Sequence, residues 1–423
     1  MKPGALLVVQ PSADYAGQVR RHCNDAVLLA SPTRAVELTG QPDVIAADID
    51  DPQAALRAIR RWLDASGRGL GGIVCFVCQY LPLTAYLAEY LQLRFHHPDT
   101  VTRTRRKDLT AAAWHAAGVP APATAAVDTV DQAVDFARRH PPPWILKPCT
   151  GSGSEWVLRA NDEDELRAAC HRLEASLPAP APAAPAAARY LVQRCVRGSE
   201  FGADLYIDAG RLQILRLTAK SMLQEPGLAG LVGAYYVPRL DLATRSLLAD
   251  TFLAGCTALG ITRGLAMVDV ILAGDTPYLL EMAVRPGGDC LPELCRRTLG
   301  YDPVYAACRI ALGESPVVSP PVNAEPLAAM HLLTDRGGVV RSLDFSRLLA
   351  HPRVVRLLEI YHPPGDELHC WEGSYDDRIV AAVLVRYTDP QELANLGAEL
   401  TPLIDLQLED RPVAAAPSTD VKD

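Results

Sequence analysis

Two carboxylates inside an apolar hairpin constrain the fold of this chain most strongly. Residues 266–272 and 277–282 are apolar runs, and the turn signal at 274–276 between them predicts a β-hairpin. Asp269 and Glu281 lie one on each predicted strand, twelve residues apart. A buried carboxylate is costly unless it is paired with a cation or bound to a metal. Two acids that face a shared point suit Mg²⁺ beside nucleotide phosphates, so the hairpin predicts a metal site.

The residues just after this hairpin predict groups that bind a charged ligand. Arg285 follows Glu281 by four positions, and its planar guanidinium is suited to clamping an anion. Asp289 stands four positions further on. It suits the binding of a substrate amine, and a favourable charge at a helix N-terminus explains it equally well.

A lysine and a glycine-serine loop form a further candidate element. Residues 145–154, ILKPCTGSGS, predict a strand that delivers Lys147 and then a loop of small residues. Small residues let backbone N–H groups close over phosphate oxygens, and hydroxyl groups add donors. Lys107 comes earlier, before a predicted helix and after the basic residues of 103–106. The loop alone is a weak signal, because a solvated strand end explains Lys147 as well.

Two more segments complete an ordered set. Residues 190–201, YLVQRCVRGSEF, predict a strand, a turn and a second strand that begins near Glu200. Such a hinge can present backbone groups to an adenine edge and a carboxylate to ribose hydroxyls. Lys220 ends the strand predicted over 211–220. The order of these segments along the chain carries more information than any one of them.

The organisation of the chain predicts an α/β part followed by α+β parts. Residues 1–97 alternate strands with helical patterns, which indicates a parallel sheet with crossover helices. Residues 67–72, GRGLGG, match G-x-G-x-x-G but precede a strand, so we interpret them as a loop. The Pro- and Ala-rich residues 177–188 are expected to form an exposed connector, and the tail 411–423 to be disordered.

Composition excludes several classes of function. The net charge of −9 argues against a broad nucleic-acid surface, although a local basic groove stays open. No apolar stretch reaches the roughly 20 residues that a spanning helix needs, so no membrane association is expected. The 11 scattered cysteines and the lack of a signal peptide predict free thiols and a cytoplasmic protein.

Taken together, these motifs resemble the ATP-grasp superfamily, and most of all its carboxylate–amine ligases that join amino acids. The resemblance covers roughly residues 1–315 in motif order. It implies an N-terminal Rossmann-like preATP-grasp domain at 1–97 and an ATP-grasp body at 98–318, with a lid subdomain at about 120–195. A C-terminal α+β domain is expected at 319–410.

The resemblance also implies roles for individual residues. Lys107 and Lys147 would hold ATP phosphates, and Lys220 and Arg285 would be catalytic, with Arg285 stabilising the acyl-phosphate and its tetrahedral successor. The expected nucleotide contacts are completed by Gly151, Ser152, Gly153, Ser154, Gln193, Arg194, Val196 and Glu200. Asp269 and Glu281 would hold Mg²⁺, while the substrate would meet Arg285, Gly287, Gly288 and Asp289.

The implied function is an ATP-dependent, ADP-forming ligase that makes a C–N bond through an acyl-phosphate. Its cofactors would be ATP and Mg²⁺, and its partners a small carboxylic acid and an amine, amino acids above all; a homodimer stays open. One departure matters: Ala283 stands where the family usually has a metal-binding Asn. This alanine motivates one alternative, a non-catalytic nucleotide-binding protein with a degenerate metal site. A second alternative, independent of Ala283, is an ATP-dependent carboxylase of the biotin carboxylase type.

Overall fold

A computed structural model describes residues 4–151, 153–176, 188–225, 227–319, 321, 325–369 and 375–409 of the 423-residue chain. Three predictions concern residues outside this part. Nearly all of the expected connector at 177–188, the tail 411–423 and Ser152 of the glycine-serine loop lie there.

The strands and helices of the described residues are numbered in chain order. The strands are β1 Ala5–Val9, β2 Val27–Ala30, β3 Val44–Ala46, β4 Leu70–Cys75, β5 Thr124–Val127, β6 Trp144–Pro148, β7 Leu158–Ala160, β8 Tyr190–Arg194, β9 Ser199–Asp208, β10 Arg211–Met222, β11 Val232–Tyr236, β12 Arg263–Ala273, β13 Thr276–Ala283, β14 Leu327–Leu333, β15 Gly338–Asp344, β16 Val354–Ile360, β17 Glu367–Leu368, β18 Ile379–Arg386 and β19 Asp405–Glu409. The α-helices are α1 Ala13–His22, α2 Pro32–Glu37, α3 Pro52–Ser66, α4 Leu81–Leu91, α5 Pro98–Arg105, α6 Lys107–Ala116, α7 Val130–Ala137, α8 Glu163–Ser176, α9 Leu242–Leu259, α10 Leu291–Leu299, α11 Pro303–Ala311, α12 Ser346–Leu349 and α13 Leu393–Leu400.

The N-terminal sheet is parallel, in the order β3-β2-β1-β4, as the alternation of strands and helices predicted. All five residues of β1 are buried, which fits a strand covered on both faces. The interpretation of 67–72 as a loop is wrong in part, because β4 already begins at Leu70. Gly72 lies within β4, where a Cβ atom would stand 2.5 Å from the carbonyl oxygen of Ala311. The glycine thus permits close packing of β4 against α11.

An eight-stranded sheet forms the centre of the molecule, in the order β13-β12-β9-β10-β11-β14-β18-β16. The predicted hairpin is present as β12 and β13, and its register pairs Asp269 directly with Glu281. Side chains of directly paired residues point to the same face of a sheet. The two carboxylates therefore share one face, as the sequence predicted.

A separate four-stranded antiparallel sheet, β5-β8-β6-β7, carries the glycine-serine loop between β6 and β7. Helices α7 and α8 pack on this sheet through a core of their own, which includes Phe136, Trp144 and Leu173. The loop thereby approaches the central sheet from the opposite side, and the space between the two sheets is the candidate site.

The remaining strands form a small sheet, β17-β15-β19. Strand β14 pairs with β11, so the central sheet continues without a break across the expected domain boundary at residue 318. The domain boundaries stay predictions. Helix α9 has Asp241 as its N-cap and Gly260 in the left-handed conformation at its C-terminus, residue types that commonly begin and end helices. No helix in the described part of the chain is long and apolar enough to cross a lipid bilayer.

Candidate active site

The first cavity lies between the two sheets and has a volume of about 600 Å³. Its walls come from the glycine-serine loop, the hinge between β8 and β9, and the hairpin of β12 and β13. Eleven of the predicted site residues line it, namely Lys107, Lys147, Gly151, Ser154, Gln193, Arg194, Val196, Glu200, Lys220, Asp269 and Glu281. The segments that the sequence placed in order along the chain thus converge on one space.

The second cavity has a volume of about 440 Å³ and adjoins the first. The two cavities share part of their lining, including Lys107, Lys220, Asp269 and Glu281. The remaining predicted residues of the described chain line the second cavity, namely Gly153, Arg285, Gly287, Gly288 and Asp289. A ligand in each cavity would therefore meet the other at a wall made of two lysines and two carboxylates.

The lysines and carboxylates of this shared wall form short ion pairs. The Nζ atom of Lys220 lies 2.7 Å from Oε1 of Glu200 and 2.9 Å from Oδ2 of Asp269. The Nζ atom of Lys107 lies 3.4 Å from Oε2 of Glu281 and donates to the carbonyl oxygen of Gly151 at 2.9 Å. Glu200 was assigned to a ribose, and its carboxylate also engages Lys220.

Burial and neighbouring charges shift the pKa values of the side chains in and beside this shared wall. Loss of water around the buried Lys147 ammonium lowers its pKa to about 8. Burial alone would raise the pKa of Glu281, but the positive charges of Lys107, Lys147 and Lys220 outweigh it and lower that pKa to about 2. Burial raises the pKa of Asp269, and the ammonium of Lys220 opposes that rise. The wall thus keeps an ionised Glu281 at neutral pH.

The glycine-serine loop is held at both ends. The backbone N–H of Lys107 donates to the carbonyl oxygen of Cys149 at 2.8 Å, and the hydroxyl of Ser154 donates to the carbonyl oxygen of Gly230 at 3.0 Å. Gly151 has φ +134° and Gly153 has φ +69°, conformations that favour glycine. The loop can therefore turn its backbone towards the first cavity without a clash of side chains.

Arg285 lies in the second cavity against the N-terminal sheet. Its Nε atom donates to the sulfur of Cys78 at 2.8 Å, and one terminal nitrogen donates to the carbonyl oxygen of Pro286 at 2.7 Å. A Cβ atom on Gly288 would lie 3.0 Å from the hydroxyl of Tyr15 and 3.8 Å from the guanidinium of Arg285. The sequence analysis did not identify Tyr15, which reaches the site from the start of α1.

A buried ion pair supports this part of the second cavity. Arg216 and Asp204 are almost inaccessible to solvent, and their side chains meet at 2.8 Å. Arg216 also donates to the carbonyl oxygen of Gly202, and the backbone N–H of Gly287 donates to Asp204 at 2.8 Å. This pair was not predicted from the sequence, although a charged residue inside each of the two apolar strands β9 and β10 was a visible signal.

A charged histidine, which was not predicted from the sequence, forms part of the lining of the second cavity. Nδ1 of His331 lies 3.0 Å from the carbonyl oxygen of Val232, which only accepts, and Nε2 lies 2.9 Å from the carboxylate of Asp289. Both ring nitrogens therefore carry protons. Burial alone would lower the pKa of His331, but the Asp289 carboxylate outweighs it and holds that pKa well above the ordinary value.

The same carboxylate has further neighbours. The hydroxyl of Tyr361 donates to Asp289, and the sulfur of Cys290 lies 3.6 Å from Nε2 of His331. Ligand atoms of Asp289, Cys290 and His331 lie within 4.8 Å of one another, close enough to hold a metal ion. Burial raises the pKa of the Cys290 thiol to about 12, and the imidazolium already supplies a cation to Asp289, so we interpret the group as an ion pair.

Comparison with known proteins agrees with this geometry. Residues 140–293 match the model of the ATP-grasp domain family. The chain is 25% identical to carnosine synthase 1 of Homo sapiens over 289 residues, which are 66% of this chain and 34% of that protein. The chain therefore spans about a third of the length of this human relative.

Solved structures show the same fold. An L-amino acid ligase from Bacillus licheniformis superposes with a TM-score of 0.76 at 17% identity, over 97% of this chain and 100% of the other. A biotin carboxylase from Campylobacter jejuni superposes with a TM-score of 0.65 at 14% identity, over 95% and 92% of the two chains. The predicted ATP-grasp fold is confirmed, and the family match itself covers residues 140–293.

Proposed function

We propose that this protein is an ATP-dependent, ADP-forming ligase that joins the carboxyl group of an amino acid or another small acid to an amine. The observation that carries the proposal is the shared wall of the two cavities. ATP in the first cavity would direct its phosphates at Lys107, Lys147 and Lys220, and the acid in the second would face Arg285. Nucleotide and acid would then meet where the basic groups are concentrated.

The chemistry follows from this placement. A carboxylate oxygen of the acid attacks the γ-phosphorus of ATP, the bond to ADP breaks, and an acyl-phosphate forms. The amine then attacks the acyl carbon, phosphate leaves with the bonding electrons, and the amine loses a proton. Lysine and arginine groups that are already aimed at the transferring oxygens lower the barrier most. No protein nucleophile is needed, which agrees with the raised pKa of buried thiols such as Cys149 and Cys290.

The donor set fits Mg²⁺. Asp269 and Glu281 share a face of the hairpin, and carboxylate oxygens are ligands that Mg²⁺ prefers. Glu281 keeps 41% of its side-chain surface accessible, so its oxygens can reach an ion in the cavity. Ala283 offers no ligand atom, and water or phosphate oxygens would complete the shell. Bound Mg²⁺ would neutralise phosphate charge.

The names of the similar proteins support this proposal. The human relative is a carnosine synthase, and the Bacillus licheniformis structure is an L-amino acid ligase. The second name describes a ligase that acts on amino acids, the reaction class proposed here. ATP and Mg²⁺ as the cofactors are consistent with the solved structures of this fold, one of which is a complex with MgADP.

Two other functions have an observation in their favour. The structural likeness to biotin carboxylase favours an ATP-dependent carboxylase, in which bicarbonate would take the place of the acid. Ala283, together with the pairing of Asp269 and Glu281 to lysines, favours a non-catalytic nucleotide-binding protein. The ligase remains our proposal, because the second cavity is large enough for an amino acid and contains Arg285.

One assay separates the three functions. The protein is incubated with ATP, Mg²⁺ and a panel of amino acids, singly and in pairs, and the release of ADP and phosphate is measured. A ligase releases phosphate only when a suitable acid is present, and hydroxylamine traps the activated acid as a hydroxamate. Release that depends on bicarbonate alone would favour the carboxylase. ATP binding without turnover in wild type, with activity appearing in Ala283→Asn, would favour the degenerate site.

Glu281→Gln is expected to weaken the binding of Mg²⁺-ATP about tenfold, because the amide replaces a charged oxygen ligand by a neutral one. The affinity for ATP without Mg²⁺ should change much less. Titration calorimetry with and without Mg²⁺ measures both values. Glu225→Gln is the matched control. Glu225 lies outside the hairpin, and its carboxylate forms an ion pair of 2.6 Å with Arg378. An unchanged metal dependence in Glu281→Gln would contradict the metal assignment.

A further inference from the structure

The segment that follows β4 carries two side chains that support the second cavity. The ring of Phe76 stacks on the ring of Tyr15, with centroids 4.7 Å apart and an angle of 10° between the planes. Cys78 lines the cavity itself and is almost entirely buried. Loops at the carboxyl ends of parallel strands commonly build ligand sites, and β4 is such a strand. The segment 76–78 thus connects the N-terminal sheet to the second cavity.

Cys78 contacts the arginine that was assigned to the acid substrate. The Nε atom of Arg285 donates to the sulfur of Cys78 at 2.8 Å, although the two residues are 207 positions apart in the chain. No carboxylate of the described residues forms an ion pair with Arg285. Its hydrogen bonds go instead to the Cys78 sulfur and to the carbonyl oxygen of Pro286. The guanidinium is therefore held by two acceptors that carry no formal charge when the thiol is protonated.

The two bonds leave most of the guanidinium free for a ligand. A guanidinium has five N–H donors in one plane. The sulfur takes the donor on Nε, and the carbonyl oxygen takes one on a terminal nitrogen at 2.7 Å. The other three donors form no hydrogen bond within the part of the chain that the structure describes. Because a planar group that is held at two nitrogens cannot rotate freely, its remaining donors keep a defined direction.

Only one of the two acceptors ties Arg285 to a distant segment. Pro286 is the next residue in the chain, so its carbonyl oxygen moves together with Arg285. Cys78 belongs to the N-terminal sheet, where the last four residues of β4 are buried. Among the described residues, the hydrogen bond to Cys78 is thus the one that fixes the guanidinium to a rigid part of the molecule outside its own loop.

We propose that Cys78 is a positioning residue for the ligase reaction, whose sulfur orients the guanidinium of Arg285 for the carboxylate of the acid substrate. The inference rests on the proposed function, which assigns Arg285 to the acid and its acyl-phosphate. A donor that is already aimed at developing charge stabilises it without further rearrangement. Cys78 itself forms no bond to the substrate.

Kinetics with two variants of Cys78 test the inference. Cys78→Ala removes the acceptor and is expected to lower kcat/KM for the acid about tenfold, the scale of one hydrogen bond to a charged group. The KM for ATP should change much less, because Cys78 does not line the first cavity. Cys78→Ser keeps an acceptor at the same position and should recover most of the loss. A wild-type value in Cys78→Ala, or an equal loss in both variants, would overturn the inference.

Cys170→Ala is the matched control for loss of a buried thiol. Cys170 lies on α8, in the core of the separate four-stranded sheet and outside both cavities. Its substitution removes the same atom and is expected to leave kcat/KM for the acid close to wild type. A loss as large as that of Cys78→Ala would mean that packing, and not the bond to Arg285, explains the effect.

Nuclear magnetic resonance offers a readout that needs no turnover. The full chain is prepared with ¹⁵N-labelled arginine, and the Nε–H signal of Arg285 is identified by its absence in Arg285→Lys. The hydrogen bond to sulfur should protect this proton, so its exchange with water should be about tenfold faster in Cys78→Ala and near wild type in Cys78→Ser. Equal exchange in wild type and Cys78→Ala would overturn the inference. If exchange changes as expected but no acid supports ADP release, Cys78 still positions Arg285 and the ligase proposal fails.

Discussion

Lys147→Ala is expected to lower kcat/KM for ATP by about a hundredfold to a thousandfold, the usual cost of removing one preorganised group that stabilises transferring charge. Lys147 is the penultimate residue of β6 and is 8% exposed, so its ammonium group is largely shielded from water. Its positive charge also helps to keep Glu281 ionised. Steady-state assays of ADP release measure the loss of kcat/KM. Near-normal turnover would contradict the assignment of Lys147 to phosphate binding.

The pH profile distinguishes a charge effect from a packing effect at this position. Because the pKa of Lys147 is about 8 before nucleotide binds, its positive charge is present below pH 8 and lost above it. The affinity for ATP should therefore fall as the pH rises through 8. Lys147→Arg keeps the charge over this range and should remove the fall, even if its larger side chain weakens binding overall. A wild-type profile that is flat from pH 7 to about 9 would contradict the buried-lysine interpretation.

Asp204→Ala is expected to give the largest loss of stability, about 3–5 kcal/mol in the free energy of unfolding. The substitution leaves the guanidinium of Arg216 buried without its carboxylate, and burying an unpaired charge is costly. It also removes the acceptor for the backbone N–H of Gly287. We therefore expect the KM for the acid substrate to rise as well, because the Gly287–Gly288 backbone loses its support.

Two comparisons make this prediction specific, and denaturant unfolding followed by fluorescence measures each variant. Asp208→Asn alters an acid on the same strand, but Asp208 pairs with the exposed Arg263 at 2.8 Å, and such surface pairs contribute about 0–1 kcal/mol. The double variant Asp204→Leu with Arg216→Met should recover much of the stability, since apolar residues of similar volume can replace a buried ion pair. The double variant should not restore the wild-type KM for the acid substrate, because leucine cannot accept a hydrogen bond from the backbone N–H of Gly287. Equal unfolding midpoints for Asp204→Ala and Asp208→Asn would contradict the prediction.

The central hairpin shows how far local sequence can lead. An apolar run, a turn signal and a second run predicted β12 and β13, and the observed register pairs Asp269 with Glu281. This was predictable because strand alternation has a period of two residues and a tight turn fixes the register. The glycine-serine loop after Lys147 was predictable for a similar reason, since the φ of +134° at Gly151 strongly favours a residue without a Cβ atom.

The charged histidine of β14 shows where local sequence stops. His331 lies within the buried strand β14, where an uncharged core histidine would be the plain expectation. Its charge comes from Asp289, a residue of another segment. No pattern along the chain encodes such a pairing.

The sequence by itself determined the order of the segments that line the two cavities, the two acids of the hairpin and the ATP-grasp fold. These features depend on neighbours a few residues apart, where backbone geometry dictates which side chains share a face. Only the tertiary structure decided which charges meet. The Asp204–Arg216 pair beneath Gly287 and the His331–Asp289 pair arise from packing of distant segments, because charge complementarity acts through space and burial makes it strong.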